Sequence, residues 1–259
     1  MTLRDTPWPE GTPCWVEVQV DDPVRASAFY GQLFGWTFFD HGPDYHHYLT
    51  ARLNGRGVAD IGPWPSGEAH PGPPRWLVCF AVESTDTTAE KVVKAGGTLL
   101  LPPADVGTHG RFAVASDPAG ARFALWQADE YLGSEIADVP DSVVWHHCLS
   151  SDAEASTAFY ADVFGLSVTP APGAGADDGH ATLELDGRPV AGVGRQRAGV
   201  PSSWEVTFGV VDADAAVAKA VELGGSLLDG PFDTRRGRCA LVSDQEGTPF
   251  RVRAVGGTD

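Results

Sequence analysis

Four tryptophans stand where flat side chains could form the walls of a small-molecule site. Trp15 and Trp145 begin two similar strand-like segments, and Trp76 and Trp204 begin two others. An indole ring stacks on flat or hydrophobic molecules and can hydrogen-bond through its edge. Two interpretations stay open: the four rings hold a ligand, or they fill the clefts as ordinary core. In the second case, replacing Trp15 or Trp76 with alanine would cost about 3–5 kcal/mol of stability.

Four polar residues that are predicted to line the same clefts as these tryptophans have side chains suited to proton transfer or to binding a carboxylate. Glu17, Asp60 and His147 are candidates for a general acid or base, and Arg251 could hold a carboxylate. Each of the three titratable residues also has an ordinary structural interpretation, as a solvated or hydrogen-bonded side chain. The catalytic residues therefore stay unknown, with these three as candidates.

The alternation of side chains along a strand predicts which of these residues share a face. Every second residue of the segment 15–20 is valine, and the valines are expected to pack beneath a helix. Trp15 and Glu17 then lie on the opposite face, as do Trp145 and His147 in the matching segment. Two further segments are expected to form similar walls through Trp76, Val78, Phe80, Trp204, Val206 and Phe208. The predicted ligand-binding residues are Trp15, Glu17, Trp76, Trp145, His147, Trp204 and Arg251.

An internal repeat divides the chain into two modules. Residues 15–35 recur as residues 145–165, and residues 76–100 recur as residues 204–228. The sequence therefore predicts a first module over 10–128, an acidic linker over 129–141 and a second module over 142–255.

Each module contains two units of the order strand, helix and three strands. In the first unit, Asp22 can cap a helix that begins at Pro23, and Gly35 can end it. Short segments with strand composition follow, separated by Gly, Pro and Asn turn signals. The predicted fold class is α+β, with four βαβββ units in two tandem modules.

Several short motifs appear in the same order in both halves and together resemble one family. They are Asp22-Pro23, Ala28-Phe29-Tyr30, Phe34-Gly35-Trp36, the glycines after the second helix, and the turn at 117–120. The chain resembles the vicinal oxygen chelate superfamily of glyoxalases, bleomycin resistance proteins and extradiol dioxygenases, and more narrowly its two-module glyoxalase-like or hydroxylase-like branch. The resemblance implies U-shaped clefts of mixed sheet with helices outside.

The resemblance also implies where a divalent metal would be held. Family members use His, Gln or Glu on the first strands and acids on later strands. The matching positions here are Trp15, Trp76, Asp60 and Ala124 in the first module, and Trp145, Trp204, Gly192 and Arg251 in the second. Divalent metals need several oxygen or nitrogen donors that converge. We therefore predict no metal site and no other cofactor.

Composition limits the partners and the location. The chain has 259 residues and a formal net charge of −17, which disfavours nucleic acid and anionic membrane. No apolar stretch is long enough to span a membrane, and the four cysteines form no CxxC pair. We expect a cytoplasmic protein that is a monomer with pseudo-two-fold modules or a homodimer.

Two functions are consistent with the pattern. The first is metal-free binding of a planar or hydrophobic small molecule, of the sequestering type found among resistance proteins. The alternative is a lyase, isomerase or hydroxylase-like enzyme that uses Glu17, Asp60 or His147, so whether the protein is an enzyme stays open. A scaffold for protein partners has little support, because no exposed apolar helix stripe is evident.

Overall fold

Each half of the chain folds into two strand–helix–three-strand units whose strands join in one mixed eight-stranded sheet. The computed structural model describes residues 1–64, 73–170 and 180–256. After a short strand, β1 (Thr2–Leu3), the first half contains β2 (Pro13–Val20), α1 (Pro23–Phe34), β3 (Thr37–Asp40), a 3₁₀ turn (Pro43–Tyr45), β4 (Leu49–Leu53), β5 (Arg56–Pro63), β6 (Leu77–Ala81), α2 (Thr85–Lys94), β7 (Thr98–Val106), β8 (Gly110–Ser116) and β9 (Arg122–Ala128).

The second half repeats this order. After the connecting strand β10 (Ile136–Ala137), it contains β11 (Val143–Ser150), α3 (Ala153–Phe164), β12 (Ser167–Pro170), β13 (Ala181–Leu185), β14 (Arg188–Arg195), β15 (Ser203–Val210), α4 (Ala213–Glu222), β16 (Ser226–Thr234), β17 (Gly237–Ser243) and β18 (Pro249–Ala254). The predicted α+β class with two tandem modules is confirmed.

The first helix of each half begins and ends as its sequence indicates. The Asp22 side chain accepts a hydrogen bond from the Arg25 backbone N–H at 3.0 Å, and Gly35 ends α1 with a φ of 70°. Asp152 and Gly165 do the same for α3. Aspartate satisfies a free N–H of the first turn, and glycine adopts the left-handed conformation without a steric penalty.

The two units of a half pair with each other at the centre of their sheet. In the first sheet the strand order is β3-β4-β5-β2-β6-β9-β8-β7, and in the second it is β12-β13-β14-β11-β15-β18-β17-β16. The central pairs β2–β6 and β11–β15 are antiparallel, and each central strand has a parallel outer neighbour. The repeat in the sequence does not decide whether units pair within a half or across the two halves, and here they pair within each half.

The two sheets pack their helix-bearing faces into one continuous core. Trp76 lies in this core, with its ring centroid 5.4 Å from that of Tyr30 and 5.3 Å from that of Phe208. Trp204 lies there as well, 5.4 Å from Phe80 and 5.1 Å from Tyr160. Rings from both halves are thus interleaved in a single buried cluster.

This position corrects the expectation that Trp76 and Trp204 wall the clefts. Glu17 pairs with Leu77 and Trp15 pairs with Cys79, so Leu77 and Cys79 share the cleft face of the sheet. Trp76 and its alternate neighbours Val78 and Phe80 therefore belong to the helix-bearing face. The same holds for Trp204, Val206 and Phe208. The segment 76–82 is apolar at nearly every position, so alternation did not show which face was buried.

The segment between the modules is part of the fold. The two residues of β10 pair with β1, and the Glu135 carboxylate accepts a hydrogen bond from the Gly57 backbone N–H at 2.6 Å. The predicted boundaries of this linker stay a prediction. In the described part of the chain, no helix is long and apolar enough to cross a membrane.

Candidate functional site

A cavity of about 430 Å³ lies on the concave face of the first sheet, and three of the predicted site residues line it. These are Trp15 and Glu17 from β2 and Asp60 from the neighbouring β5. The side chains converge because the parallel pairing places Glu17 beside Asp60, and Trp15 lies two residues before Glu17 on the same face.

The Trp15 indole is fixed at the floor of this first cleft. Its Nε1 donates a hydrogen bond to Asp60 Oδ2 at 3.1 Å, and its ring meets Tyr131 edge-on at a centroid distance of 5.2 Å. The side chain is 5% exposed. Trp15 therefore forms part of the cleft wall and leaves the space in front of it open.

The Asp60 carboxylate is held by two donors. The Thr50 hydroxyl donates to Asp60 Oδ1 at 2.7 Å, and the Trp15 indole donates to the other oxygen. Burial raises the pKa of Asp60 to about 6, and its hydrogen bonds with Thr50, Trp15 and Tyr131 oppose that rise. Asp60 is therefore mainly ionised at neutral pH, with both oxygens already engaged.

Glu17 is different from Asp60 in its surroundings. Burial, and then the nearby Asp60 carboxylate, raise the pKa of Glu17 to about 8. Among the described residues, no group hydrogen-bonds its carboxyl. Most Glu17 side chains are protonated at neutral pH. Such a carboxyl can donate a hydrogen bond to a carbonyl oxygen, or act as a base once it has lost its proton.

An aromatic rim borders the mouth of the first cleft and consists of His41, Tyr45 and His109. Tyr45 and His109 stack with their centroids 4.6 Å apart and their planes 6° apart, and His41 lies 5.4 Å from His109. Burial and the neighbouring His109 lower the pKa of His41. The rim thus presents flat aromatic rings beside the cavity.

The second sheet bounds a cavity of about 610 Å³ that contains Trp145, His147 and Arg251. Arg251 Nε donates to Glu205 Oε2 at 2.6 Å, which makes an ion pair across neighbouring strands. Burial, and then the nearby His180 and arginines, lower the pKa of His147 to about 4. His147 is therefore a neutral imidazole at neutral pH.

The positions of the family's metal ligands can be located on these two sheets. Trp15 lies seven residues before the helix cap Asp22, and the same spacing before Ser84 and Asp212 gives Leu77 and Glu205. Both face their clefts, so they replace Trp76 and Trp204 as the second-unit positions. The spacing rule was available from the sequence and would have found Glu205.

The residues at these positions do not fit a divalent metal. The first cleft has Trp15, Leu77, Ala124 and Asp60 at these positions. Only Asp60 among them has oxygen atoms that bind a metal, and both of its carboxylate oxygens already accept hydrogen bonds. The second cleft offers Glu205, which is paired with Arg251, besides a tryptophan and a glycine. Several convergent donors are needed for tight chelation. Within the ranges that the structure describes, no group of three His, Cys, Asp or Glu side chains is arranged to hold a metal ion.

Two further residues of the clefts were not found from the sequence. Tyr131 lies in the connecting segment, where no periodicity indicates a site. Arg236 lies at the turn between β16 and β17, where a side chain is usually solvated, yet its guanidinium carbon lies 4.3 Å from the centroid of the Trp145 ring. Neither position carries a local signal, because each depends on a contact between distant segments.

Comparisons with known proteins agree with this geometry. The family model described as "Glyoxalase/Bleomycin resistance protein/Dioxygenase superfamily" matches residues 14–125, and a "Glyoxalase-like domain" model matches residues 144–253. The Mycobacterium bovis protein named "Putative glyoxylase CFP32" is 36% identical over 94% of both chains. "Anthracycline biosynthesis protein DnrV" of Streptomyces peucetius is 36% identical over 93% of this chain and 92% of that protein.

Solved structures share the fold at much lower identity. The Mn(II)-bound glyoxalase from Novosphingobium aromaticivorans gives a TM-score of 0.65 at 16% identity, with 94% of this chain and 81% of that chain covered. The 2,3-dioxygenase LapB from Pseudomonas sp. KL28 also gives 0.65, at 13% identity, with 95% and 92% covered. These likenesses establish the arrangement of the strands and helices, and they carry no information on the chemistry of the clefts.

Proposed function

The chain belongs to the glyoxalase/bleomycin resistance protein/dioxygenase superfamily, and we propose that its first cleft binds a planar, oxygen-bearing aromatic molecule without a divalent metal. The observation that carries the proposal is the Glu17 carboxyl, which has no hydrogen-bond partner among the described residues and lies beside the fixed Trp15 indole in a cavity of about 430 Å³. A cavity of this size suits a small organic ligand.

The proposed ligand matches the walls of the cleft. Trp15, Trp126 and Tyr131 give the inner end an aromatic lining, and the aromatic rim of His41, Tyr45 and His109 borders the mouth. A protonated Glu17 would donate a hydrogen bond to a quinone or ketone oxygen, which an ionised carboxylate would repel. Flat rings with carbonyl oxygens satisfy both features.

The relatives support the same chemical class. Two of them are named as anthracycline biosynthesis proteins, from Streptomyces peucetius and from Streptomyces sp. strain C5. Anthracyclines have a planar fused-ring quinone body that carries hydroxyl and carbonyl oxygens. The proposal for this chain extends to that class of ring system and leaves the particular compound open.

Binding can be tested by titrating the full chain with quinizarin, a planar dihydroxyanthraquinone, while its tryptophan fluorescence is recorded with and without EDTA. We expect saturable quenching that EDTA leaves unchanged. Trp15→Phe should weaken the binding by about tenfold or more, since it removes stacking area and the bond to Asp60. Trp145→Phe is the matched control, because Trp145 lines the other cleft. Equal weakening in both variants, or quenching lost in EDTA, would contradict the proposal.

An enzymatic function is the second candidate, because a buried carboxyl with a pKa near 8 is suited to proton transfer. Glu17 would accept the proton of an activated C–H next to a ketone and return it to another atom, as an isomerase or lyase requires. Nuclear magnetic resonance of a bound ketone in heavy water would detect deuterium uptake. Uptake that is lost in Glu17→Gln would favour the enzyme, and quenching without uptake would favour binding alone.

A further inference from the structure

The two clefts differ in the acidic and basic residues that line them. The described lining of the first cleft contains no Lys or Arg and four acidic residues, namely Glu17, Asp44, Asp60 and Asp105. The described lining of the second cleft contains one acidic residue, Glu205, and four arginines, namely Arg235, Arg236, Arg251 and Arg253. In a chain with a formal net charge of −17, this concentration of arginines gives one site for a ligand of negative charge.

Arg251 is held in an orientation that suits it to bind an anion. Glu205 accepts a hydrogen bond from Arg251 Nε at 2.6 Å, and the two side chains are 24% and 11% exposed. No other hydrogen bond of this guanidinium is made within the described residues. Glu205 therefore holds the side chain in place, while the two terminal nitrogens stay available as a fork for a carboxylate.

Two other arginines border the same space. Arg236 lies over the Trp145 ring, where the guanidinium is attracted by the face of the indole. Arg253 donates to the Val144 backbone oxygen at 3.2 Å, and its buried Nε lacks a partner among the described residues. Neither arginine forms an ion pair within the described residues, although the charge of Asp138 acts on Arg253, and their charges add to that of Arg251.

His147 has a buried polar atom that indicates a ligand-binding site. Its Nε2 is buried and has no hydrogen-bond partner within the described part of the chain. A Cβ at Gly194 would lie 2.8 Å from that atom and 2.5 Å from His180 Nδ1, so the glycine makes room for both rings. An unsatisfied buried nitrogen is costly, and a ligand oxygen would satisfy it.

We propose that the second cleft binds an organic monocarboxylate with an apolar body, whose carboxylate lies on the Arg251 fork and whose body faces Trp145 and Phe232. The cavity of about 610 Å³ has an apolar wall that also includes Leu149, so an inorganic anion would leave most of it unfilled. The two sites take different ligands, and this inference does not depend on what the first cleft binds.

Calorimetry on the full chain tests the proposal with three probes: naphthoate, the uncharged naphthamide of the same shape, and inorganic phosphate. We expect heat of binding from naphthoate that weakens as salt is added, and none from phosphate. Any heat from naphthamide, a neutral planar carbonyl compound that suits the first cleft, should be the same in the unchanged protein and in Arg251→Gln. Arg251→Gln should weaken naphthoate binding by tenfold or more. Arg197→Gln is the control, because Arg197 lies in the same module, outside this cleft, and its side chain is 82% exposed.

A second variant keeps the test valid if Arg251→Gln fails to fold, because that substitution leaves Glu205 without its ion-pair partner. Arg236→Ala removes a cation beside the same cavity and its contact with Trp145, and among the described residues the side chain makes no hydrogen bond or ion pair that would be lost. It should also weaken naphthoate binding while the thermal unfolding midpoint stays close to that of the unchanged protein. Equal affinity for phosphate, naphthamide binding that weakens in the arginine variants, unchanged naphthoate binding in both arginine variants, or no heat with naphthoate at millimolar concentration would overturn the proposal. Trp15→Phe should leave naphthoate binding unchanged, which separates this site from the first cleft.

Discussion

At the scale of single residues, the first cleft contains two carboxyl groups on neighbouring strands with different chemistry. Asp60 accepts hydrogen bonds at both oxygens, and its pKa is raised only to about 6. Glu17 has no such partners among the described residues, and its pKa is raised to about 8. Both groups are buried, so the difference follows from the hydrogen bonds that Asp60 accepts and from the repulsion that the Asp60 carboxylate exerts on Glu17. Glu17 is therefore the group whose protonation changes near neutral pH.

The first prediction concerns the pH dependence of stability. Folded Glu17 keeps its proton up to a pKa near 8, whereas the unfolded side chain loses it near 4.5. The folded state thus binds more protons between these values, so Glu17 lowers stability as pH rises across that window. Glu17→Gln should remove this loss. The free energy of unfolding of the variant, relative to that of the unchanged protein, should therefore rise by on the order of a few kcal/mol between pH 4.5 and pH 8.5.

Urea unfolding of both proteins across this pH range measures the difference. Glu90→Gln, at an exposed position on α2, is the control and should follow the unchanged protein at every pH. Parallel pH curves for Glu17→Gln and the unchanged protein would show that Glu17 ionises normally in the folded state.

Sequence reasoning located part of these sites. It selected Trp15, Glu17 and Asp60, which converge in one cavity, and His147 and Arg251, which line the other. Their roles in binding or catalysis stay predictions. It did not find the Glu205 that orients Arg251 or the Tyr131 that packs on Trp15, because both depend on which segments meet in space.

At the scale of elements, one glycine in each sheet lets an aromatic ring cross a strand. Gly62 on β5 pairs with Gln19, and Gly194 on β14 pairs with Leu149. A Cβ at Gly62 would overlap the Tyr48 ring, whose hydroxyl accepts a hydrogen bond from Gln19 at 2.9 Å. A Cβ at Gly194 would press on the two histidine rings of the second cleft. The same register position thus shapes a different cleft in each module.

The second prediction uses this matched pair of glycines. Gly62→Ala should displace Tyr48 and weaken quinizarin binding, while Gly194→Ala should weaken naphthoate binding and leave quinizarin binding unchanged. Each should cost about 1–3 kcal/mol of stability, because the added methyl forces neighbouring side chains to move. Titration of both variants with both probes gives the four outcomes. A loss of both ligands in either variant would contradict the assignment of one ring to one cleft.

The third prediction concerns the turn that precedes the last strand of the second module. Asp244 accepts backbone hydrogen bonds within this turn, and its Oδ2 accepts one from the hydroxyl of Tyr30 on α1 at 2.9 Å. Tyr30→Phe should destabilise the protein by about 1–3 kcal/mol, since a buried carboxylate oxygen loses its donor. Tyr45→Phe is the control, because no hydrogen bond of that hydroxyl is made within the described residues. Equal unfolding midpoints in urea for the two variants would contradict this role.

The elements themselves were largely predictable from the sequence, and one aspect of their orientation was not. Asp22, Pro23 and Gly35 gave both ends of the first helix, and the repeat gave the order of the units. The sequence did not show which face of β6 packs in the core. Trp76 and Leu77 lie on opposite faces of the strand and both are apolar, so either face could be the buried one. Trp76 is buried because its face of the strand packs in the core that the two sheets share. The pattern of residues within one strand does not indicate this packing.

At the scale of the whole molecule, the two modules depend on each other for their buried surface. The ring centroid of Phe208 lies 5.1 Å from that of Phe34 and 5.3 Å from that of Trp76, both from the other module. Phe80 makes the reciprocal contact, with its centroid 4.4 Å from that of Phe164. A module on its own would expose these rings to water, so the core stabilises both modules together.

The last prediction is that the protein unfolds in one cooperative step. Phe208→Ala should lower the stability of the whole chain by about 3–5 kcal/mol, since a fully buried ring is replaced by a cavity at the junction of the modules. Phe39→Ala is the control, because Phe39 is 46% exposed. Scanning calorimetry should give a single transition for all three proteins, with calorimetric and van't Hoff enthalpies that agree. Two separate transitions in the unchanged protein would mean that each module is stable by itself and that the interleaved rings only join them.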